Sequence, residues 1–329
     1  MAKLTNMHNS IYHRALIVGL SGTGKSTLAA QLASNFKLHW IGIENALDTL
    51  LKLPQEMQEN VEVYNIPDSA AFPVAADTLM ILFKQGHARI CDMHGKVECA
   101  SCKKDGNTFS TLDLRTLTPN DVVVLDSGTQ LSHSILAHTM RNKSVDTKPE
   151  RDDWGALRKY TEFFGSQFQA APFNLVVICH AIEATMEDGR TKLVPNFGSQ
   201  AMSAEFGKFF SDIIYTDVKN GKHTANSDST FSNTVLTKSR TDFRIEAYDP
   251  PSLVPLFMNA HLSIEQKEKI ERVQERKDQG DAAVSLLEER QQPSLVEKAK
   301  EEIQKVEPNA ASERTRMLLE RAQAARKGG

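Results

Sequence analysis

Long apolar runs are missing from this chain of 329 residues, and none approaches the roughly 18 consecutive apolar residues that a membrane helix needs. Cysteine is scarce. Three of the four cysteines fall within positions 91–102, which excludes a secreted disulfide framework and leaves a local cluster to explain. Neither sign of charge dominates: 39 Lys and Arg face 42 Asp and Glu, a net −3. A uniformly basic coat for nucleic acid is therefore excluded, while a local basic channel is not. No apolar signal region lies between Met1 and Arg14, so the expectation is a protein of the reducing cytoplasm with no membrane partner. The hydrophobic share of 40% excludes a collagen-like, mucin-like or wholly disordered chain.

Two compositions follow one another. Residues 261–329 carry 14 acidic and 14 basic side chains and few aromatics, which reads as solvated, charged C-terminal helices. Ser263 with Gln266, and Ser294 with Glu297 after the breaker Pro293, fit capping boxes. Residues 1–260 read as a folded core. The runs at 16–18, 40–43, 61–64, 122–125 and 175–178 have the apolar character of buried strands. Segments near 25–35, 69–84, 129–140, 153–170 and 200–210 have helical patterning. The alternation predicts an α/β fold with a mostly parallel sheet covered by helices. Runs at 213–218, 234–238 and 243–248 predict an antiparallel extension.

The strongest motif follows the first strand. Gly19, Leu20, Ser21, Gly22, Thr23, Gly24, Lys25 and Ser26 fit G-x-x-x-x-G-K-S/T, and Thr27 continues into a helix. Such glycines turn backbone amides inward around phosphate oxygens, at the positive end of the following helix. Lys25 would reach the β- and γ-phosphates of ATP, and the Ser26 hydroxyl would ligate Mg2+. Asp126, at the end of the strand 122–125, supplies the carboxylate expected beside that metal in P-loop NTPases.

With these residues in place the chain resembles RecA-fold recombinases over residues 14–250. The segment 41–48 resembles the stretch after their second core strand, where a Glu activates the attacking water, and Glu44 occupies that position. Segments 63–86 and 121–131 resemble the RecA strand-loop-helix and second nucleotide motif. Val176 to His180 resembles the strand ending in a γ-phosphate sensor, with His180 as sensor. Lys238 and Arg240 resemble the paired basic residues that reach a neighbouring protomer's ATP. The best match is to the RecA-like single-strand annealing ATPases of bacteriophages. The resemblance implies a DNA-stimulated ATPase that binds single-stranded DNA and promotes annealing or recombination, in a bacterial host's cytoplasm if phage-encoded. It implies self-association as filament or ring, with a single-strand-binding protein as a candidate partner of the tail. About thirteen residues precede the first strand, so the family's long N-terminal oligomerisation helix has no counterpart in this sequence.

Two loops near the oligomer axis grip DNA in that family. Here they correspond to 141–153, with Arg141, Lys143, Lys148 and Arg151, and to 184–200, with Arg190, Lys192 and Phe197. Cations there would follow phosphates and Phe197 would stack on bases. Asp146, Glu150, Asp152, Asp153, Glu187 and Asp188 dilute the basic character.

Cys91, His94, Cys99 and Cys102 form two C-x-x-C/H pairs within a segment, 87–117, that interrupts the family core. Three thiolates and an imidazole suit structural Zn2+, which would order a loop with little apolar content. His87 is an alternative ligand and an iron–sulfur cluster an alternative occupant. Cys179 reads as a small core residue. A P-loop NTPase acting as switch or motor on protein partners remains the alternative to the DNA-binding reading.

Overall fold

The computed structural model describes residues 12–259 apart from 45–46, 70–71, 145, 187–188, 229–233 and 242. The chain divides into two units, Met1–His261 and Leu262–Gly329. The charged helices expected over 261–329, with both capping boxes, lie outside the described residues.

In chain order the elements are β1 (Arg14–Gly19), α1 (Lys25–Ala30), β2 (Lys37–Gly42), α2 (Asp48–Leu51), α3 (Gln55–Gln58), β3 (Val61–Asn65), α4 (Val74–Gln85), β4 (His87–Cys91), α5 (Ala100–Asp105), β5 (Phe109–Asp113), β6 (Asp121–Asp126), α6 (Gly128–Met140), α7 (Arg151–Ala170), β7 (Asn174–Thr185), β8 (Thr191–Pro195), α8 (Gln200–Phe206), β9 (Asp212–Lys219), β10 (Lys222–Asn226), β11 (Lys238–Ser239) and α9 (Val254–Asn259). The main sheet runs β10-β9-β1-β7-β6-β2-β3, with β8 beside β7 and β11 beside β9. Its central strands, from β9 to β3, are parallel; β10, β11 and β8 join antiparallel.

Both faces of the central strands are covered, which explains their unbroken apolar runs, whereas β3 at the sheet's edge exposes Glu62 and Val63 and is not the buried strand expected at 61–64. Leu16, Val18, Val123, Leu125, Leu175 and Val177 pack into one core with residues of α4, α6 and α7. Ala15, Ile17, Val122, Val124, Val176 and Ile178 pack into the other with Leu28, Leu32 and Phe36. Val122, Val123, Val124 and Leu125 are at most 1% exposed. At about 1.5–3 kcal/mol for each such side chain, burial outweighs a strand-propensity scale that spans only about 1 kcal/mol.

Local chemistry sets the element ends. The helix expected near 69–84 begins at Val74, because a residue before proline is pushed out of the helical region and Pro73 takes the N-cap position. The Asp68 carboxylate accepts the free Ala75 N–H at 2.9 Å. Glu150 and Asp153 form a reciprocal capping box at the start of α7. Asn220 and Gly221, at φ 51° and 75°, make the two-residue turn between β9 and β10, where both positions need positive φ.

The antiparallel extension is shorter than expected. The run at 213–218 lies within β9, whereas of 234–238 only Lys238 enters a strand, and residues 245–247 form a 3-10 turn rather than a strand. Side chains satisfy the backbone there in place of a ladder: the Ser227 hydroxyl donates to the Phe243 carbonyl and accepts the Ile245 N–H. The segment after α4 forms its own two-stranded sheet, β4 against β5, with α5 between them.

Candidate active site

The carboxyl ends of four parallel strands meet in register. Gly19 lies beside His180, Ile178 beside Asp126, and Asp126 beside Gly42. Ligands of open α/β sheets bind in the crevice beyond such ends. The loop after β1 needs its glycines: Gly22 and Gly24 have φ 77° and 86°. A Cβ at Gly19 would collide with the hydroxyls of Thr23 and Thr216. The Leu20 carbonyl accepts the Lys25 ammonium at 2.7 Å and the Thr23 hydroxyl at 2.8 Å. Lys25 is only 7% exposed. Burial lowers its pKa, against the opposing charges of Asp126 and Glu44. Ser21 and Thr27 are exposed at the loop's rim.

The Ser26 hydroxyl donates to Asp126 Oδ2 at 2.9 Å. Asp126 is buried, and desolvation first, with the Glu44 charge behind it, pushes its carboxyl up to about 6 against the Ser26 hydrogen bond. A hydroxyl and a carboxylate are the hard oxygen donors that suit Mg2+. Glu44 is held from two sides. The Ser127 hydroxyl donates to Oε1 in a short hydrogen bond, and His180 Nε2 stands 3.7 Å from Oε2. The His180 contact first, then the Ser127 hydrogen bond, hold the Glu44 carboxyl below its usual range despite partial burial. His180 is fixed in turn: its N–H donates to the Thr129 hydroxyl at 2.9 Å, and its carbonyl accepts the Asn196 N–H at 2.8 Å.

Ser127 and Thr129 lie within the 121–131 motif, but their contacts to Glu44 and His180 were not legible, because these depend on strand pairing far along the chain. A cavity of about 370 Å3 opens beside Gly24 and Thr27, between α1, the β9–β10 turn and residues 249–251. Thr216, His223, Asp249 and Pro250 line it. It has the size and place for a nucleoside. The Asn-Gly turn and the Asp-Pro-Pro run were the available signals, but neither announces what it borders.

Several expectations require correction. Lys238 is no free cation: its ammonium donates to the carbonyls of Gly207 at 3.1 Å and Phe210 at 2.5 Å. It closes the end of the turn at 207–209, and burial lowers its pKa. Arg240 is exposed. Both follow from β11, which pairs with Asp212 and Ile213 at the amino end of β9, opposite the phosphate loop of the same chain. Phe197 is wholly buried and stacks on Phe206 with ring centroids 3.9 Å apart and 7° between planes. It is a core residue and offers no face to a base. The span 184–200 is no irregular loop, because β7 runs on to Thr185 and pairs with β8, making a two-stranded ribbon. Arg190 and Lys192 lie on it, Arg190 exposed and Lys192 half-buried. Residues 187–188 lie outside the described residues. The other loop ends at Glu150, since Arg151 begins α7. Lys143 bridges Glu150 at 3.1 Å and Asp153 at 2.7 Å, so it braces the capping box. Arg141, Lys148 and Arg151 are exposed.

The cysteine cluster forms at the end of β4. Cys91 ends the strand, His94 follows in a turn closed by Gly95 at φ 64°, and Cys99 and Cys102 bracket the first turn of α5. The four ligand atoms all lie within 4.8 Å of one another. His94 Nδ1 stands 3.2 Å from Cys102 Sγ and 3.7 Å from Cys99 Sγ. Tetrahedral Zn2+ with bonds of about 2.0–2.3 Å sets ligand separations of about 3.5–3.8 Å, so the set fits and could hold zinc. The Cys102 N–H first, with His94 second, draws the Cys99 thiol toward the thiolate that a metal requires. His87 sits at the far end of β4, in register with Asp113, so it is not part of this cluster. Cys179 is buried in the core beside α6, and desolvation raises its thiol pKa.

A family model described as an AAA domain matches residues 11–241. No curated protein sequence matches the chain. Among solved structures it is similar to a RadB recombinase, at 15% identity and TM-score 0.36, covering 70% of this chain and 83% of that one. It is also similar to an ATPase from the type III secretion system of pathogenic bacteria, at 14% identity and TM-score 0.35, covering 63% of this chain and 51% of that one. The chain thus spans about half the length of that ATPase.

Proposed function

The chain belongs to the AAA-domain family of P-loop ATPases, and on that premise we propose that it hydrolyses ATP to ADP and phosphate and couples this to binding single-stranded DNA for annealing or recombination. The observation that carries the reading is the convergence of Lys25, Ser26, Asp126, Glu44 and His180 at one crevice. Lys25 exchanges the Leu20 carbonyl for the β- and γ-phosphates. Ser26 and Asp126 would hold Mg2+, which would offset phosphate charge. Glu44, ionised and aimed by Ser127, orients the attacking water and takes its proton as the bond from the γ-phosphorus to the bridging oxygen breaks. His180 answers the presence of the γ-phosphate. The cavity beside Gly24 takes the base and ribose.

His180 sits where β7 leaves the main sheet and becomes the ribbon with β8. A nucleotide contact at His180 therefore bears on the ribbon directly, and Arg190 and Lys192, with Arg141 and Lys148, supply cations for DNA phosphates, whereas Arg151 begins α7 and is left out of this set. Arg240, at the opposite end of the sheet from the phosphate loop, would act on a neighbouring protomer's ATP, in a ring or filament. Cys91, His94, Cys99 and Cys102 hold a structural zinc.

An ATPase assay with and without single-stranded DNA, over a salt series, tests this reading. Stimulation by DNA that weakens as salt rises is expected. Hydrolysis indifferent to DNA would favour action on protein partners, and no hydrolysis would defeat both.

A further inference from the structure

A groove of about 680 Å3 runs between α4 and α7, on the helical layer away from the nucleotide crevice. Its floor is apolar: Met80, Tyr160 and Phe163 are partly buried hydrophobics against the core. Its rim is cationic. Lys84, Arg151 and Lys159 line it against a single acid, Asp152, on a chain whose net charge is −3. Lys84 Nζ stands 5.6 Å from the centre of the Phe163 ring. No ion pair within the described residues occupies Lys84, Arg151 or Lys159.

Gly155 adds a second observation. It lies inside the 20-residue α7, where glycine is the poorest helix former after proline. A Cβ there would meet nothing within 4 Å, so packing does not require it. Its missing side chain instead leaves the groove open.

We propose that this groove docks an acidic peptide segment of a partner protein, with one apolar or aromatic side chain on the Met80, Tyr160 and Phe163 floor and carboxylates at Lys84, Arg151 and Lys159. Charge complementarity selects this occupant. A nucleic-acid strand carries a phosphate every few ångströms and would find three cations and an apolar floor. A peptide with a few acids around one anchor matches both.

The test uses the full chain and a fluorescent dodecapeptide of Asp and Glu around a central Leu-Phe pair. A second peptide with Lys at every acidic position and a labelled oligothymidylate serve as comparisons. The acidic peptide should bind, and more weakly as salt rises. Lys84→Glu with Lys159→Glu should weaken it by about tenfold or more. Gly155→Leu should do the same by filling the groove, while its melting temperature stays at or above wild type and its ATP hydrolysis is unchanged. The proposal fails if the acidic peptide does not bind, if the Lys peptide binds equally, or if Gly155→Leu leaves the affinity intact. It also fails if Gly155→Leu displaces the oligothymidylate and not the peptide.

Discussion

Glu44 Oε2 stands 3.7 Å from His180 Nε2, while the Ser127 hydroxyl holds the other carboxylate oxygen. The two brackets come from different strands. Ser127 follows β6 and His180 lies on β7, so any shift between these strands re-aims the carboxylate. Moving His180 toward a γ-phosphate would free Oε2 for a water while Ser127 keeps the group in place.

Glu44→Gln should keep nucleotide affinity and lose hydrolysis by about 10²–10⁴-fold, since an amide accepts no proton. Lys25→Ala should lose tight binding, because the β- and γ-phosphates lose their ammonium partner. Calorimetric binding and phosphate release separate the two. A wild-type rate in Glu44→Gln would remove Glu44 from the base role.

The Asp126 carboxyl at about 6, against an ordinary 3.8, gives a signed pH effect. A raised carboxyl pKa means that the folded protein binds this proton more tightly than the unfolded chain. The contribution is complete below about pH 4 and lost as pH rises through about 6, a change of roughly 2–3 kcal/mol. Glu44, whose pKa is lowered, contributes with the opposite sign: its stability is present above the ordinary carboxylate range and lost as acid protonates it. Urea unfolding of nucleotide-free protein from pH 4 to 8 should show the Asp126 slope as the difference between wild type and Asp126→Asn. Mg2+-dependent ATP binding needs the ionised group and should tighten over the same window. Parallel stability profiles for the two proteins would contradict the assignment.

Elemental analysis of protein made with zinc available should find about one zinc per chain. Cys99→Ser should lower the melting temperature more than Cys179→Ser, since only the first loses metal-coupled folding energy. A strong chelator should lower the wild-type value toward that of Cys99→Ser. Zinc-free protein with an unchanged melting temperature would end the metal reading.

Changing Arg190 and Lys192 together to Ala should flatten the logarithmic salt dependence of single-stranded DNA binding by about one to two units. Phe197→Ala belongs to a different class. Its ring is stacked in the core, so the expected loss is about 3–5 kcal/mol of stability. Denaturant titration and DNA titration on both variants distinguish the two effects. An unchanged slope in the Arg190 and Lys192 variant would remove the ribbon from the DNA site.

Lys238→Ala should cost about 1–3 kcal/mol of stability, because two carbonyls lose a charged donor. Arg240→Ala should leave stability unchanged and reduce turnover only in the assembled protein. Mixing Arg240→Ala with Glu44→Gln protomers should restore part of the activity at shared interfaces. No recovery at any ratio would count against action between protomers.

Features encoded within a few residues were legible. The phosphate loop, the strand leading into it and the clustering of Cys91, His94, Cys99 and Cys102 each follow from local spacing. So do the runs at 122–125 and 175–178, because both sheet faces are buried. Phe197 differs from the expected base-stacking residue because an aromatic beside a polar loop gives no sign that Phe206 lies parallel to it. The hydrogen bonds of Lys238 were not legible, because its partners, Gly207 and Phe210, are carbonyls that sequence does not distinguish. Ser127 and Thr129 became meaningful only once β2, β6 and β7 placed Glu44 and His180 beside them.

Strand β7 is one continuous piece with two kinds of support. Residues 174–178 pair with β6 and 175–180 with β1, whereas 181–185 pair with β8 and touch α8 through Gln200, which donates to the Glu183 carbonyl. Such a strand is a lever with its fulcrum at the edge of the sheet. Five residues at about 3.3 Å each give an arm of about 16 Å, and a pivot of about 10° would carry its tip about 3 Å. A small displacement at His180 would therefore be enlarged along the ribbon, reaching about the length of a hydrogen bond at its outer end where the Gln200 contact to the Glu183 carbonyl gives way.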